Sequence, residues 1–147
     1  MFFTRILTPA LYGTQSFDGL IELKERPEVR QVIGEEAESL AYLFCAMTKI
    51  TLLSNLDRIG LPYIHDRFSG KWLYITRQQC VDLCNITAAN WLEQVPRVPE
   101  VRNANPHNLL RILPLLPGKA QEDMTRALMV LGRVCKSCLM DNAPRWR

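Results

Sequence analysis

The sequence predicts a mainly α, compact helical domain of about four to six helices, with a small β-hairpin near residues 63–75. Three observations predict it. Apolar residues recur at spacings of three and four in several stretches, as on a helix with one buried face. Capping residues, glycines and prolines bound those stretches at ordinary helix lengths. One stretch instead sets aromatic and β-branched residues on both sides of Ser69-Gly70, as a hairpin does.

The first element begins near Pro27 or Val29, because a proline in the first turn gives up an amide proton that has no helical acceptor. Gly34 separates this short helix from a longer one. Glu35, Glu36 and Glu38 then stand near the N-terminus of the second helix, where the helix dipole favours negative charge. Ala37, Leu40, Phe44, Met47, Thr51, Leu52 and Leu56 mark its core face, and Gly60 with Pro62 marks its end. This pattern predicts one long central helix. The hairpin from Tyr63 to Ile75 follows. Two strands alone are marginal in water, so Trp72 and Tyr74 are expected to lie against the helices.

Thr76 with Gln79 three residues on forms a capping-box pattern. A helix is expected from Arg77 to about Cys84, ended by Asn85, with Thr87 capping a second helix from Ala88 to about Gln94. Residues 96–105 read as a loop, and Pro106 to Leu113 as a short packed helix. A last helix is expected from about Gln121 to Leu139, with Met124, Leu128, Leu131, Cys135 and Cys138 in line. The chain thus divides into an N-terminal arm (1–26), one helical domain (27–140) and a C-terminal tail (141–147).

Composition narrows the function classes. With 48% apolar and 22% charged residues the chain can build a packed core, which argues against general disorder. A net charge of +3 is too small for the dense basic stripe of a dedicated nucleic-acid binder. The five cysteines are an odd set and follow no long apolar leader, which points to a reducing compartment, mitochondrial or cytoplasmic, with mostly buried thiols. Arg5 among apolar residues, with no acid before Asp18, has the flavour of an organelle-import segment, although Pro9 interrupts any long helix. The run Leu40 to Met47, closed by Glu38 and Lys49, is far below the ~20 apolar residues of a membrane span.

No constellation supplies a reaction. Cys80 and Cys84 share a helix face, and Cys135 and Cys138 have a close spacing; four thiolates could hold zinc only if both pairs met. Against this, Cys135 and Cys138 continue the apolar line of the last helix, so the thiols read as buried or idle, and no metal or cofactor is expected. The dyad His65-Asp66 lacks further ligands, with His107 the only other histidine. No serine stands in a nucleophile elbow, and the glycines form no phosphate loop.

Interaction features remain. Phe2, Phe3 and Leu7 in the arm, and Arg145 and Trp146 in the tail, are the candidate protein-interface residues, since apolar, aromatic and arginine side chains dominate interface energetics. The leading expectation is a non-catalytic accessory or scaffold subunit whose partners are other protein subunits. The alternative is a helix-turn-helix nucleic-acid-binding or regulatory protein built on residues 76–94, with Arg77 on phosphate and Asn90 reading adenine. Against that alternative, no Arg or Lys lies between Ala88 and Gln94, and Glu93 opposes phosphate.

Overall fold

The computed structural model describes residues 11–14, 18–103 and 106–132. The candidates Phe2, Phe3, Leu7, Arg145 and Trp146, and the pair Cys135 and Cys138, lie outside the described residues. Within them the fold is mainly α: seven α-helices, three short 3-10 turns and one two-stranded antiparallel hairpin. Seven helices exceed the expected four to six because one expected helix is broken in two and one expected loop is helical, while two expected helices are merged into one.

A 3-10 turn at Leu23–Glu25 leads into α1 (Arg26–Ile33), with Pro27 in the first turn as the sequence indicates. Gly34 takes φ 88°, a conformation that L side chains rarely adopt, and so separates α1 from α2 (Glu35–Ala46). The expected long helix does not continue from there. Met47 is extended (ψ 156°), and Thr48 caps a new helix, α3 (Lys49–Ser54). Thr48 Oγ1 accepts from the Thr51 amide, and the Thr51 hydroxyl donates back to the Thr48 carbonyl. This local exchange competes with the i→i−4 ladder and starts a helix in a new direction. The segments Glu35–Ala46 and Lys49–Asp57 are bent by 106°. The bend keeps the apolar pattern inside, because Phe44, Met47, Leu52 and Leu56 are all buried.

After the 3-10 turn Asn55–Asp57, the hairpin pairs β1 (Tyr63–Asp66) with β2 (Lys71–Tyr74). The register is Tyr63↔Tyr74, Ile64↔Leu73, His65↔Trp72 and Asp66↔Lys71. Gly70, at φ 71°, closes the turn and donates its amide to the Asp66 carbonyl at 2.7 Å. The expectation that Trp72 and Tyr74 lie against the helices is overturned: they are 60% and 72% exposed. The pleat puts alternate residues on opposite faces, and the helices take Ile64, Asp66 and Leu73 instead.

Thr76 and Gln79 form the expected capping box. The helix they start, α4 (Arg77–Gln94), is a single 18-residue element. The expected turn at Asn85 and second cap at Thr87 are therefore corrected. The Thr87 hydroxyl donates to the Leu83 carbonyl at 2.8 Å, so it satisfies itself within the helix rather than capping a new one. Residues 99–103 form a short helix, α5 (Pro99–Asn103), where the sequence suggested a loop; proline and Glu100 suit its first turn. Then come α6 (His107–Ile112), a 3-10 turn Leu113–Leu115, and α7 (Gly118–Val130). α7 ends at Val130, with Gly132 at φ 63° just beyond it; the rest of the expected last helix, to Leu139, lies outside the described residues.

The main core joins α2, α3, the hairpin, α4, α6 and α7 around Leu52, Leu56, Ile64, Leu83, Met124 and Leu128. A smaller cluster lies on the other side of α2, where Leu11 and Tyr12 meet Ala41 and Cys45.

Candidate functional site: an aromatic hairpin face on a buried polar anchor

The hairpin is fastened to the body at both ends. At its base, the buried Asn55 side chain donates to the Tyr63 carbonyl (2.7 Å) and accepts from the Tyr63 amide (2.9 Å). At its tip, Asp66 is 2% exposed. Its carboxylate accepts from the Tyr42 hydroxyl at 2.6 Å, from the Ser69 hydroxyl at 2.7 Å and from the Phe68 amide at 2.9 Å. The neighbouring Arg67 donates to the Cys45 carbonyl (2.8 Å) and the Gly13 carbonyl (2.6 Å). The tip is thus tied to α2 and to the segment at residues 11–14.

This anchor continues inward. The Arg26 guanidinium lies 3.6 Å from the centre of the Tyr42 ring and clasps Glu38 through two nitrogens, at 2.6 and 3.1 Å. Glu38 is fully buried; it also accepts from the Tyr12 hydroxyl at 2.9 Å and from Arg30 at 3.4 Å. Burial by itself raises the Glu38 carboxyl, but the hydrogen bonds from Arg26 and Tyr12 outweigh it and hold the group below its ordinary value. Asp66 follows the same logic: burial raises it, and the bonds from Tyr42, Ser69 and the Phe68 amide lower it overall. Burial and donation to Asp66 push the Tyr42 phenol up to about 12. Burial and donation to Glu38 likewise raise Tyr12. The network therefore favours two ionised carboxylates and two neutral phenols. Perturbed groups of this kind mark both active sites and structural networks. Here each carboxylate is engaged by several donors from the protein, which makes the cluster an anchor.

The outer face of the hairpin is the opposite. Tyr63, His65, Trp72 and Tyr74 share it by register. Their rings meet edge-on: Tyr63 with Trp72 at 5.2 Å, His65 with Trp72 at 5.0 Å and Tyr63 with Tyr74 at 6.3 Å between centroids. Arg58 covers one face of Tyr63 at 4.4 Å and donates to the Leu61 carbonyl. Ile59 and Leu61, on the approach to β1, are 89% and 60% exposed. Lys71 is exposed, but by register it shares the opposite face with its cross-strand partner Asp66, which is buried. The result is an aromatic surface with Arg58 over one of its rings, held on a fastened scaffold.

The sequence pointed elsewhere. Of its nucleic-acid candidates, Arg77 is exposed at the start of α4 and Asn90 is half-buried in a cleft between helices. Thirteen residues of one helix separate them by about 20 Å, so they do not form one reading head. His65 belongs to the aromatic face, and His107 begins α6. Among the described residues no group of three or more His, Cys, Asp or Glu could hold a metal ion. Cys45, Cys80 and Cys84 are buried thiols; hydrogen bonding to Cys80 and burial raise the Cys84 thiol, and burial raises Cys45. Among the described residues no single helix is long and apolar enough to cross a membrane; α2 and α3 pass that test only together, across their bend.

The aromatic face has a sequence signal, the pairs Tyr63-x-His65 and Trp72-x-Tyr74. Alternation alone does not say which face turns outward. Glu38 left a weaker signal, because its place in a helix's first turn already explains a carboxylate there.

A family model described as a domain of unknown function, DUF6817, matches residues 4–49. That stretch contains Tyr12, Arg26, Arg30, Glu38 and Tyr42 of the anchor and ends before the hairpin. No curated protein matches the chain, and no solved structure does.

Proposed function

We propose that this protein is a non-catalytic accessory subunit that binds another protein through the outer face of its hairpin. The observation that carries the reading is the exposure of Trp72 and Tyr74, whose rings meet Tyr63, on a hairpin fastened at both ends. Single exposed apolar residues are ordinary, but a contiguous aromatic patch marks an interaction site. Tryptophan, tyrosine and arginine are also the residues that dominate measured interface energies. A fastened scaffold adds to this, because little ordering is required when the partner arrives. What supports the absence of chemistry is the state of the charged groups: Glu38 and Asp66, the most buried carboxylates described, are engaged within the fold.

The experiment is the native mass of the assembly that contains this chain, extracted at physiological salt and treated with nuclease, with its other chains identified. The expected result is a defined protein complex that Trp72→Ala with Tyr74→Ala dissociates, while the variant stays folded with a melting temperature only a few degrees lower. Loss of a tryptophan anchor costs about 2 kcal/mol or more, roughly 30-fold in affinity. A free monomer, or a complex indifferent to both substitutions, overturns the reading. A particle that nuclease dissolves transfers the face to single-stranded nucleic acid, which also stacks on aromatic rings beside cations.

A further inference from the structure

A second surface stands apart from the hairpin. We infer that the cleft between α3, α4, α5 and α6 binds a small, planar, single-ring molecule with a carboxamide or lactam edge, the chemical class of benzamide, nicotinamide or uracil. The cleft has a volume of about 140 Å³. An apolar cavity of about 150 Å³ takes up benzene, so the space fits one ring and little more. Leu52, Leu53, Leu109 and Ile112 supply apolar lining, and the Trp91 ring stands beside them. Such a lining favours a flat apolar body.

Three side-chain amides line the cleft, and two of them, Asn90 and Gln94, stand one turn apart on α4 and supply the edge chemistry, with Asn108 of α6 at the exposed rim. Gln94 Nε2 donates to Asn90 Oδ1 at 3.2 Å. That bond leaves the Asn90 amide N–H groups and the Gln94 carbonyl unclaimed by the described residues, both on side chains that line the cleft. One donor beside one acceptor matches the N–H and C=O of a primary carboxamide or a lactam. Turning both side-chain amides over exchanges the two roles and still leaves one of each. A carboxylate fits less well, because one of its oxygens would face the remaining acceptor. Thr87 adds no donor, since its hydroxyl donates to the Leu83 carbonyl. Lys49 and Asn108 stand at the rim and are exposed; their N–H groups would instead favour an anion, so the test must separate the two.

The test is ligand-observed NMR on the full chain with benzamide, benzoate and toluene at equal concentrations. The expected result is saturation transfer to benzamide, with an affinity at least about tenfold above benzoate and toluene. Asn90→Leu combined with Gln94→Leu should weaken benzamide at least about tenfold, because either amide left alone still offers both a donor and an acceptor. Benzoate binding as tightly as benzamide, toluene binding as tightly, no transfer to any probe, or benzamide affinity unchanged in the double variant overturns the inference. If a variant fails to fold, the ranking of the three probes on the unsubstituted protein decides.

Discussion

On the inner side of the hairpin, Asp66 is buried and bonded to Tyr42 and Ser69, and the network runs on through Arg26 to Glu38 and Tyr12. On the outer side, Tyr63, His65, Trp72 and Tyr74 pack edge-on against one another under Arg58 and face outward. Hydrophobicity would suggest the reverse arrangement, with rings inside and charges outside. The difference teaches how a two-stranded sheet, marginal by itself, can present apolar surface. Polar bonds to Asp66 and the packing of Ile64 and Leu73 hold its inner face, which leaves the rings exposed on the outer one. In the proposed reading, stability and recognition stand on opposite sides of the same eight strand residues.

The sharpest way to break this contrast is at the centre of the anchor. Glu38→Ala leaves Arg26 and Tyr12 without their shared acceptor, and removal of one partner from a buried pair costs about 3–5 kcal/mol. Urea denaturation should show a loss of that order; a loss below about 1 kcal/mol would mean that the network does not hold the fold. Tyr42→Phe is the next largest. It deletes a hydrogen bond to a charged, buried carboxylate, worth about 1.5–3 kcal/mol, and it should also speed hydrogen exchange at the hairpin amides.

The pH dependence sharpens the same point. The folded state lowers Glu38 and Asp66 from ordinary values of 4.5 and 3.8. Their contribution is therefore complete above those values and is lost as pH falls through the lower folded ones. Tyr42 is raised from 10.0 to about 12, so its contribution is complete below pH 10 and is lost as pH rises towards 12. A stability profile should fall at both ends, and Tyr42→Phe should remove its share of the alkaline slope. The smallest effect belongs to the outer face. Trp72→Ala should cost no more than about 1 kcal/mol in stability, the range of a cross-strand pair, while greatly weakening assembly.

Much of the fold was legible where a single local rule decided it. Gly34 separated two helices because the chain needs a positive φ there, and Thr76 with Gln79 announced the start of α4 through reciprocal caps. The turn at Ser69-Gly70 was readable for the same reason. Reading failed where two rules competed. The apolar spacing from Leu40 to Leu56 suits one helix, yet Thr48 and Thr51 bond to each other's backbone and redirect the chain. Asn85 and Thr87 have turn and cap chemistry, yet the helix continues through them because Leu83, Cys84 and Ala88 bury one continuous stripe. The candidate site was the least legible part. Its rings were visible, but their outward direction depends on Asp66 finding Tyr42, 24 residues away in the chain.

Oxidative footprinting tests the central claim most directly: hydroxyl-radical labelling of the free chain and of the intact assembly, read residue by residue. The expected result is that Trp72 and Tyr74 react readily in the free chain and are strongly protected in the assembly, with Trp91 in the helical cleft as the internal reference. Equal labelling of Trp72 and Tyr74 in both states, with protection appearing elsewhere, would contradict the assignment of the hairpin's outer face as the docking surface.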